Sequence, residues 1–498
     1  MRIRSRLLGA VLIIALLLAA FYYAMSGQKL SEEKAIFGAG SKTTIKLWYT
    51  DEALTDYLTA KAVEYNNLNS RARVELSCVS GLEYLEEINR ASVDQDDYPD
   101  VFITTHDNLE KAYLAGLSGE IDDPSFLMDE ANGYSEAALN SVKYKDKFIA
   151  YPYYFETSSL VYNKTYLEDE VKAKIQAEID AAEGEAAQAA VDEEEPTEDV
   201  EGMDSDISTA DTSEVEMSQE ELDKAVTESL PATIEDILVF ADNYNAPEAV
   251  ESVFEWDVTD VFYNYFFVGN YLNVGGPAGD DISQIDVYNQ NTINCMSFYQ
   301  QLNQFFAIDE DAVNYEKVVQ DFIDGKTVFT VATSDVVSKI EEAKAEGKCS
   351  FDYGVATMPS LNETYLTRTM SVTNCLVING YSEHEKEANS FARFLCNENT
   401  DNMYTMSGKL LAHSKVAYEN ASLSAFSDVY ANSVPMPKLM ATSNFWVQLE
   451  IAFANIWDGE NVNDTLRQLS ESVKLQIGGE EVHEEVLPDA TVTITEAE

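Results

Sequence analysis

The chain has 498 residues, with 32 basic and 89 acidic side chains, a formal charge of −57, and 45% apolar residues. That apolar content excludes a wholly disordered acid, and the length exceeds one compact core, predicting two or three folded units. The charge argues against nucleic acid or an anionic membrane surface as a partner, because both are held through Lys and Arg.

Arg2, Arg4 and Arg6 precede an apolar stretch, Leu7 to Met25. Its length, about 19 residues, lies nearer a membrane-spanning helix than the apolar part of a signal peptide. The basic flank places the body of the protein outside the cytoplasm. Residues 1–25 therefore read as an export signal retained as an anchor. Ala24-Met25-Ser26 leaves cleavage, and a secreted form, open. There is no cysteine at its end for lipid attachment, and 26–43 reads as a polar tether.

Three strands are predicted next, Ile45–Thr50, Arg73–Val79 and Val101–Thr105. Between them lie helical stripes through Leu54, Leu58, Ala62 and Tyr65, and through Leu82, Leu85 and Ile88. The β-α-β-α-β alternation implies a parallel sheet, and ligands of such sheets bind beyond the carboxyl ends of the strands. Asp51 and Asp107 fall there; the alternative reading of each is a helix N-cap.

Residues 181–230 carry 18 acidic side chains and one basic one, Lys224. The part from 181 to 222 is expected to be a solvated, mobile insertion or partly a charged helix. The run Phe262–Phe267 reads as a buried helix. Val328–Ala332, Tyr353–Thr357 and Cys375–Asn379 read as strands, and Glu385–Cys396 and Asn444–Ile456 as helices. The end, 478–498, reads as an acidic, mobile tail.

The five cysteines form no C-x-x-C pair and the four histidines are scattered, so no metal site and no cofactor are expected. The cysteines read as buried apolar residues, with a Cys349–Cys375 disulfide left open. Asp324-Gly325-Lys326-Thr327 ends like a phosphate loop, but Gln320 stands where the loop needs glycine. No G-x-S-x-G or H-E-x-x-H occurs.

Five stretches in order carry a resemblance. They are Ile45–Tyr49 leading to Asp51; Pro99–Phe102 ending in His106-Asp107, with Leu114–Ile121 after it; Tyr144–Pro152 continuing to Glu156 and Tyr162-Asn163-Lys164; Phe322–Lys326 followed by Tyr353-Gly354-Val355 and Met358-Pro359; and Phe445-Trp446. With the export signal, their order and spacing resemble the extracytoplasmic solute-binding proteins of ABC importers, specifically the maltose/oligosaccharide-binding group. The resemblance implies an α/β fold of two lobes (type II periplasmic-binding-protein-like) joined by crossing strands. Lobe 1 would be 44–150 plus 361–412, and lobe 2 would be 151–360 plus 413–477. It implies a carbohydrate ligand in the cleft, hinge closure, and delivery by a monomer to ABC permease subunits, without catalysis. A membrane-anchored sensor or scaffold on the same fold is the alternative.

Carried over position by position, the resemblance makes Asp51, Asp107 and Glu156 acidic sugar contacts, Tyr265 a contacting tyrosine and Trp446 a stacking ring. Carboxylates suit vicinal hydroxyls, and aromatic faces suit the C–H face of a pyranose. Core packing is the alternative for Tyr265 and Trp446. Asp335 stands where a stacking tryptophan is expected and counts among the contacts. Asn108, Thr104, Val447 and Glu450 also depart from the pattern. The cleft is therefore expected to be more acidic and less aromatic, suiting a different oligosaccharide, a polyol, or a cationic or amino sugar.

Overall fold

A computed structural model describes residues 42–192 and 217–494, apart from the single positions 80, 82, 96, 307, 311, 399 and 443. The apolar stretch Leu7–Met25 and most of the acidic insertion lie outside the described residues. Among the described residues no helix is long and apolar enough to cross a membrane.

The framework is one twisted sheet built in two sections. Strands β1 (Thr43–Tyr49), β2 (Ala72–Cys78) and β3 (Val101–Thr105) are parallel, as the β-α-β pattern predicts. The thirteen-residue β4 (Tyr151–Asn163) is central. Four further strands are β5 (Ser252–Glu255), β6 (Thr327–Thr333), β7 (Tyr353–Ala356) and β8 (Met370–Ile378). The order across the sheet is β2-β1-β3-β8-β4-β6-β5, with β7 also on β4. Tyr151 to Thr157 of β4 pair antiparallel with β8, whereas Ser158 to Tyr162 pair with β6. One strand therefore leaves the first section and becomes part of the second.

Each section has its own core, because a sheet buries its apolar faces only against covering helices. Ile45, Leu47, Phe102, Tyr151, Leu376 and Phe391 share the first. Leu160, Phe254, Trp256, Tyr299, Phe329 and Trp457 share the second. A third cluster sits where they meet, with Phe155 stacked on Tyr430 at 4.0 Å between ring centroids. The helix Glu385–Asn397 buries Ala388, Phe391, Ala392 and Leu395, the stripe expected of it.

Several expectations need correction. Strand β8 begins five residues before Cys375. Its first half alternates polar residues, which are buried but paired: Thr373 Oγ1 lies 2.8 Å from the Tyr430 hydroxyl, and Ser433 Oγ donates to Ser371 Oγ at 2.6 Å. Hydropathy could not reveal a strand stabilised that way. Phe262–Phe267 is not one helix but a four-residue turn of helix, Val261–Asn264, followed by a 3-10 turn, Tyr265–Phe267. The Asn264 side chain holds this bend, donating to the carbonyls of Asp257 and Asp260 and accepting from Trp256 Nε1.

At both ends of the insertion the charged-helix reading holds. A helix runs from Lys164 to Asp192, and a second, Gln219–Ser229, packs beside it. Leu222 and Val226 enter the second core, and Lys164 Nζ bridges to Asp223 at 2.6 Å. The tail is docked as far as Ile494. Its backbone N–H groups at Leu487, Thr491 and Ile494 donate to Tyr288, Asn294 and Gln301, and Ile494 is buried. Satisfying backbone donors in this way ties down a segment that acidity alone would leave in water. All five cysteines are free thiols, so Cys349 and Cys375 are not bridged; four are buried and Cys78 is exposed.

Candidate functional site

The carboxyl ends of β1 and β3 and the middle of β4 bring polar side chains together. Of the thirteen residues in β4, Glu156 alone is not buried. A charged side chain interrupting such a strand needs a partner or a task. Its partner is Lys409, which the sequence did not single out. The two-residue strand Leu410–Leu411 pairs with Phe155 and Tyr154 and so sets Lys409 beside Glu156.

Lys409 Nζ lies 3.0 Å from Glu156 Oε1 and 2.9 Å from Asp51 Oδ2, and 5.5 Å from the centre of the Tyr154 ring. Burial works against the lysine's charge, yet the Glu156 and Asp51 carboxylates together hold its pKa above the ordinary value. Asp51 is an N-cap, the alternative reading of it, and also faces Lys409. Its Oδ1 accepts from the Ala53 N–H at 3.0 Å, capping the turn Glu52–Leu54, while Oδ2 faces Lys409. Asp51 and Glu156 remain 29% and 44% exposed, so both can meet a ligand.

Asp107 occupies the turn after β3. Burial lifts its carboxyl above the ordinary aspartate range, against the pull of the Thr105 hydroxyl, nearby amides and Lys438. Its Oδ1 is buried with no hydrogen-bond partner among the described residues, which leaves one acceptor uncommitted. The neighbouring His106 is structural. Nδ1 accepts from the Thr373 N–H at 3.0 Å, so the proton sits on Nε2, which donates to the Met436 carbonyl at 2.8 Å. Burial lowers its pKa to about 3, keeping the ring neutral. Lys438 is buried too, and burial lowers it to about 8; its ammonium donates to the carbonyls of Asn140 and Ala278.

In the second section, β5 and β6 are parallel and end on the same side. Asp335 follows β6, but its carboxylate is committed: it accepts from the Tyr315 hydroxyl at 2.6 Å and from Thr333, and pairs with Lys339 Nζ at 3.0 Å. Tyr315 stacks on Tyr263 at 4.7 Å, an aromatic pair absent from the sequence-based candidates. Tyr404 donates to the Ser334 carbonyl at 3.1 Å, joining a helix of the first section to the end of β6. Tyr265 is 2% exposed and lies in the second core; its ring meets that of Trp446 at 5.7 Å. Trp446 is partly buried at the edge of the same core.

Asp51 and Glu156 thus converge on one lysine, Asp107 stands at the adjacent strand end, and Trp446, Tyr265 and Asp335 belong to the second section. Two open pockets lie elsewhere among the described residues. One cavity of about 280 Å³ is lined by Tyr134, Phe155, His413 and Tyr430, and another of about 470 Å³ by Asn140, Asn273, Arg368 and Pro435. Neither takes in Asp51, Asp107, Glu156 or Trp446. The uncovered carboxylates at strand ends locate the candidate site better than cavity size does, because ligands of such sheets bind at those ends. Among the described residues no cluster of His, Cys, Asp and Glu could hold a metal ion.

A family model described as bacterial extracellular solute-binding protein matches residues 61–431. Among solved structures, an extracellular solute-binding protein from Staphylococcus aureus in complex with maltose is 19% identical. It aligns over 87% of this chain and 98% of its own, with a TM-score of 0.66. The maltose-binding periplasmic protein of Listeria monocytogenes, also with maltose, is 17% identical over 88% and 99% of the two chains, TM-score 0.63. A maltodextrin-binding protein of L. casei BL23 without ligand is 17% identical over 88% and 99%, TM-score 0.61. This likeness establishes the two-lobed α/β architecture that the order of motifs implied.

Proposed function

Since the chain belongs to the bacterial extracellular solute-binding proteins, we propose that it captures a carbohydrate outside the cytoplasm and delivers it to the permease of an ABC importer. The ligand is an oligosaccharide or a related polyol. It lies between a lobe of residues 44–150 with 361–412 and a lobe of 151–360 with 413–477. Leu7–Met25 holds the protein, a monomer, at the membrane. Binding proceeds without turnover, and β4 serves as one crossing segment of the hinge.

The observation that carries this reading is the lone unburied position of β4, Glu156, joined to Asp51 at the end of β1. Two carboxylates fixed in this way accept hydrogen bonds from adjacent sugar hydroxyls. Asp107, with an unpartnered oxygen, adds an acceptor. Trp446 supplies a partly exposed ring from the other lobe, backed by Tyr265. Asp335 reaches the ligand only through an oxygen it now shares with Lys339 or Tyr315. A ligand touching both lobes favours the closed arrangement by its differential affinity.

The test is thermal and urea unfolding against a panel of neutral oligosaccharides, polyols and amino sugars. A specific ligand at about 100 times its Kd adds roughly 2.7 kcal/mol of stability. A panel in which no carbohydrate stabilises the protein would overturn the reading.

A further inference from the structure

We propose that Lys409 is the specificity-determining residue of this site, and that it selects uncharged ligands by occupying the place a ligand cation would take. The inference rests on carbohydrate capture by the strand-end site and names the class of carbohydrate.

The composition alone points the other way. A chain of charge −57 with acidic residues at its strand ends invites a cationic or amino sugar. The geometry reverses that expectation. Charges spread over the surface are screened beyond about a Debye length, so the groups in contact decide. The two carboxylates best placed for a ligand already share one ammonium, at 2.9 and 3.0 Å. That ammonium is not a loose surface group. Its side chain is 22% exposed, its Nζ lies over the Tyr154 ring, and its backbone is held in place by the pairing of Leu410 and Leu411 with β4. The Lys409 N–H also donates to Ser407 Oγ at 3.4 Å.

A ligand ammonium seeking Asp51 and Glu156 would therefore meet a fixed like charge within one hydrogen-bonding shell, and like charges so juxtaposed oppose binding strongly. A neutral hydroxyl meets no such barrier. An ammonium has three donors, and two are spent on the carboxylates. The third can donate to a sugar oxygen, while the second oxygen of Glu156 accepts from hydroxyls; that of Asp51 already accepts from the Ala53 N–H. Lys409 is thus both counter-ion and ligand contact.

The experiment compares the purified protein with Lys409→Met and Lys409→Arg. Two probes are titrated by calorimetry at about pH 6, where a sugar amine is protonated: neutral maltotetraose and the disaccharide of glucosamine. The wild type and Lys409→Arg should reject the cationic probe. Lys409→Met should bind it at least roughly tenfold more tightly than wild type, in a salt-dependent manner. Adding Glu156→Gln to Lys409→Met should cancel that gain. If Lys409→Met does not fold, Lys409→Gln, which keeps a hydrogen bond to a carboxylate, carries the same comparison. A Lys409 variant that folds and gains no affinity for the cationic probe overturns the proposal, as does a wild type that binds the cationic probe as tightly as the variant. Failure of the carbohydrate reading itself would look different. No neutral sugar of the wider panel would then bind the wild type, and the cationic arm would still decide the role of Lys409.

Discussion

Glu156→Gln separates a ligand contact from a structural residue. The substitution keeps the shape of the side chain and one carbonyl acceptor for Lys409, but removes the charge. Its cost in stability should be small. The side chain is 44% exposed, and ion pairs of that exposure contribute about 1 kcal/mol or less after screening. Its cost in binding should be larger. A hydrogen bond to a charged acceptor is worth roughly 1.5–3 kcal/mol, which is about a tenfold to hundredfold rise in Kd. Urea unfolding gives the first quantity and calorimetric titration with the best ligand of the panel gives the second. An unchanged Kd with a clearly lowered unfolding midpoint would refute the reasoning, because Glu156 would then serve the hinge and not the ligand.

Three other outcomes are expected. His106 and His413 are buried and neutral, with pKa values lowered to about 3 and about 4. A base depressed in the folded state binds protons preferentially when unfolded, so stability should fall with pH below about 6.5, by up to 1.4 kcal/mol per unit for each histidine. Urea unfolding from pH 7 to 5 checks this, and His106→Gln should flatten the slope; an unaltered slope would exclude the linkage. Trp446→Ala should weaken binding by about 2 kcal/mol if its ring is a central anchor, whereas retained affinity with lost stability would assign it to the core beside Tyr265. Gly269→Ala would place a Cβ 1.9 Å from the Arg368 carbonyl oxygen, a backbone atom that cannot step aside. Overpacking of this kind costs typically 1–3 kcal/mol, so a mutant melting like the wild type would show that this approach relaxes freely.

Much of the fold was legible because local periodicity reports burial. The parallel strands β1 to β3 and the helices Glu385–Asn397 and Phe445–Trp457 fall within two residues of their predicted limits. The errors have a common cause. The early half of β8 is buried through polar pairs, and the tail is fixed by backbone donors reaching distant side chains. Neither leaves an apolar signature. Among the candidate residues, Glu156 was conspicuous as an acid at the end of an aromatic run, and the structure leaves it as the one uncovered side chain of its strand. Tyr265 was ambiguous because an aromatic cluster reads the same whether it faces a cleft or a core.

What the sequence determined by itself was the alternation of strand and helix, the acidic groups at strand ends and the order of motifs that marks the family. Those features depend on neighbours a few positions apart. Only the tertiary structure decided what the acids do. Lys409 lies 253 positions from Glu156 along the chain, and nothing in the spacing of either announces the other. The pairing of Leu410–Leu411 with the crossing strand brings them together, and the charge a ligand meets there is set by that contact and not by the net charge of the chain.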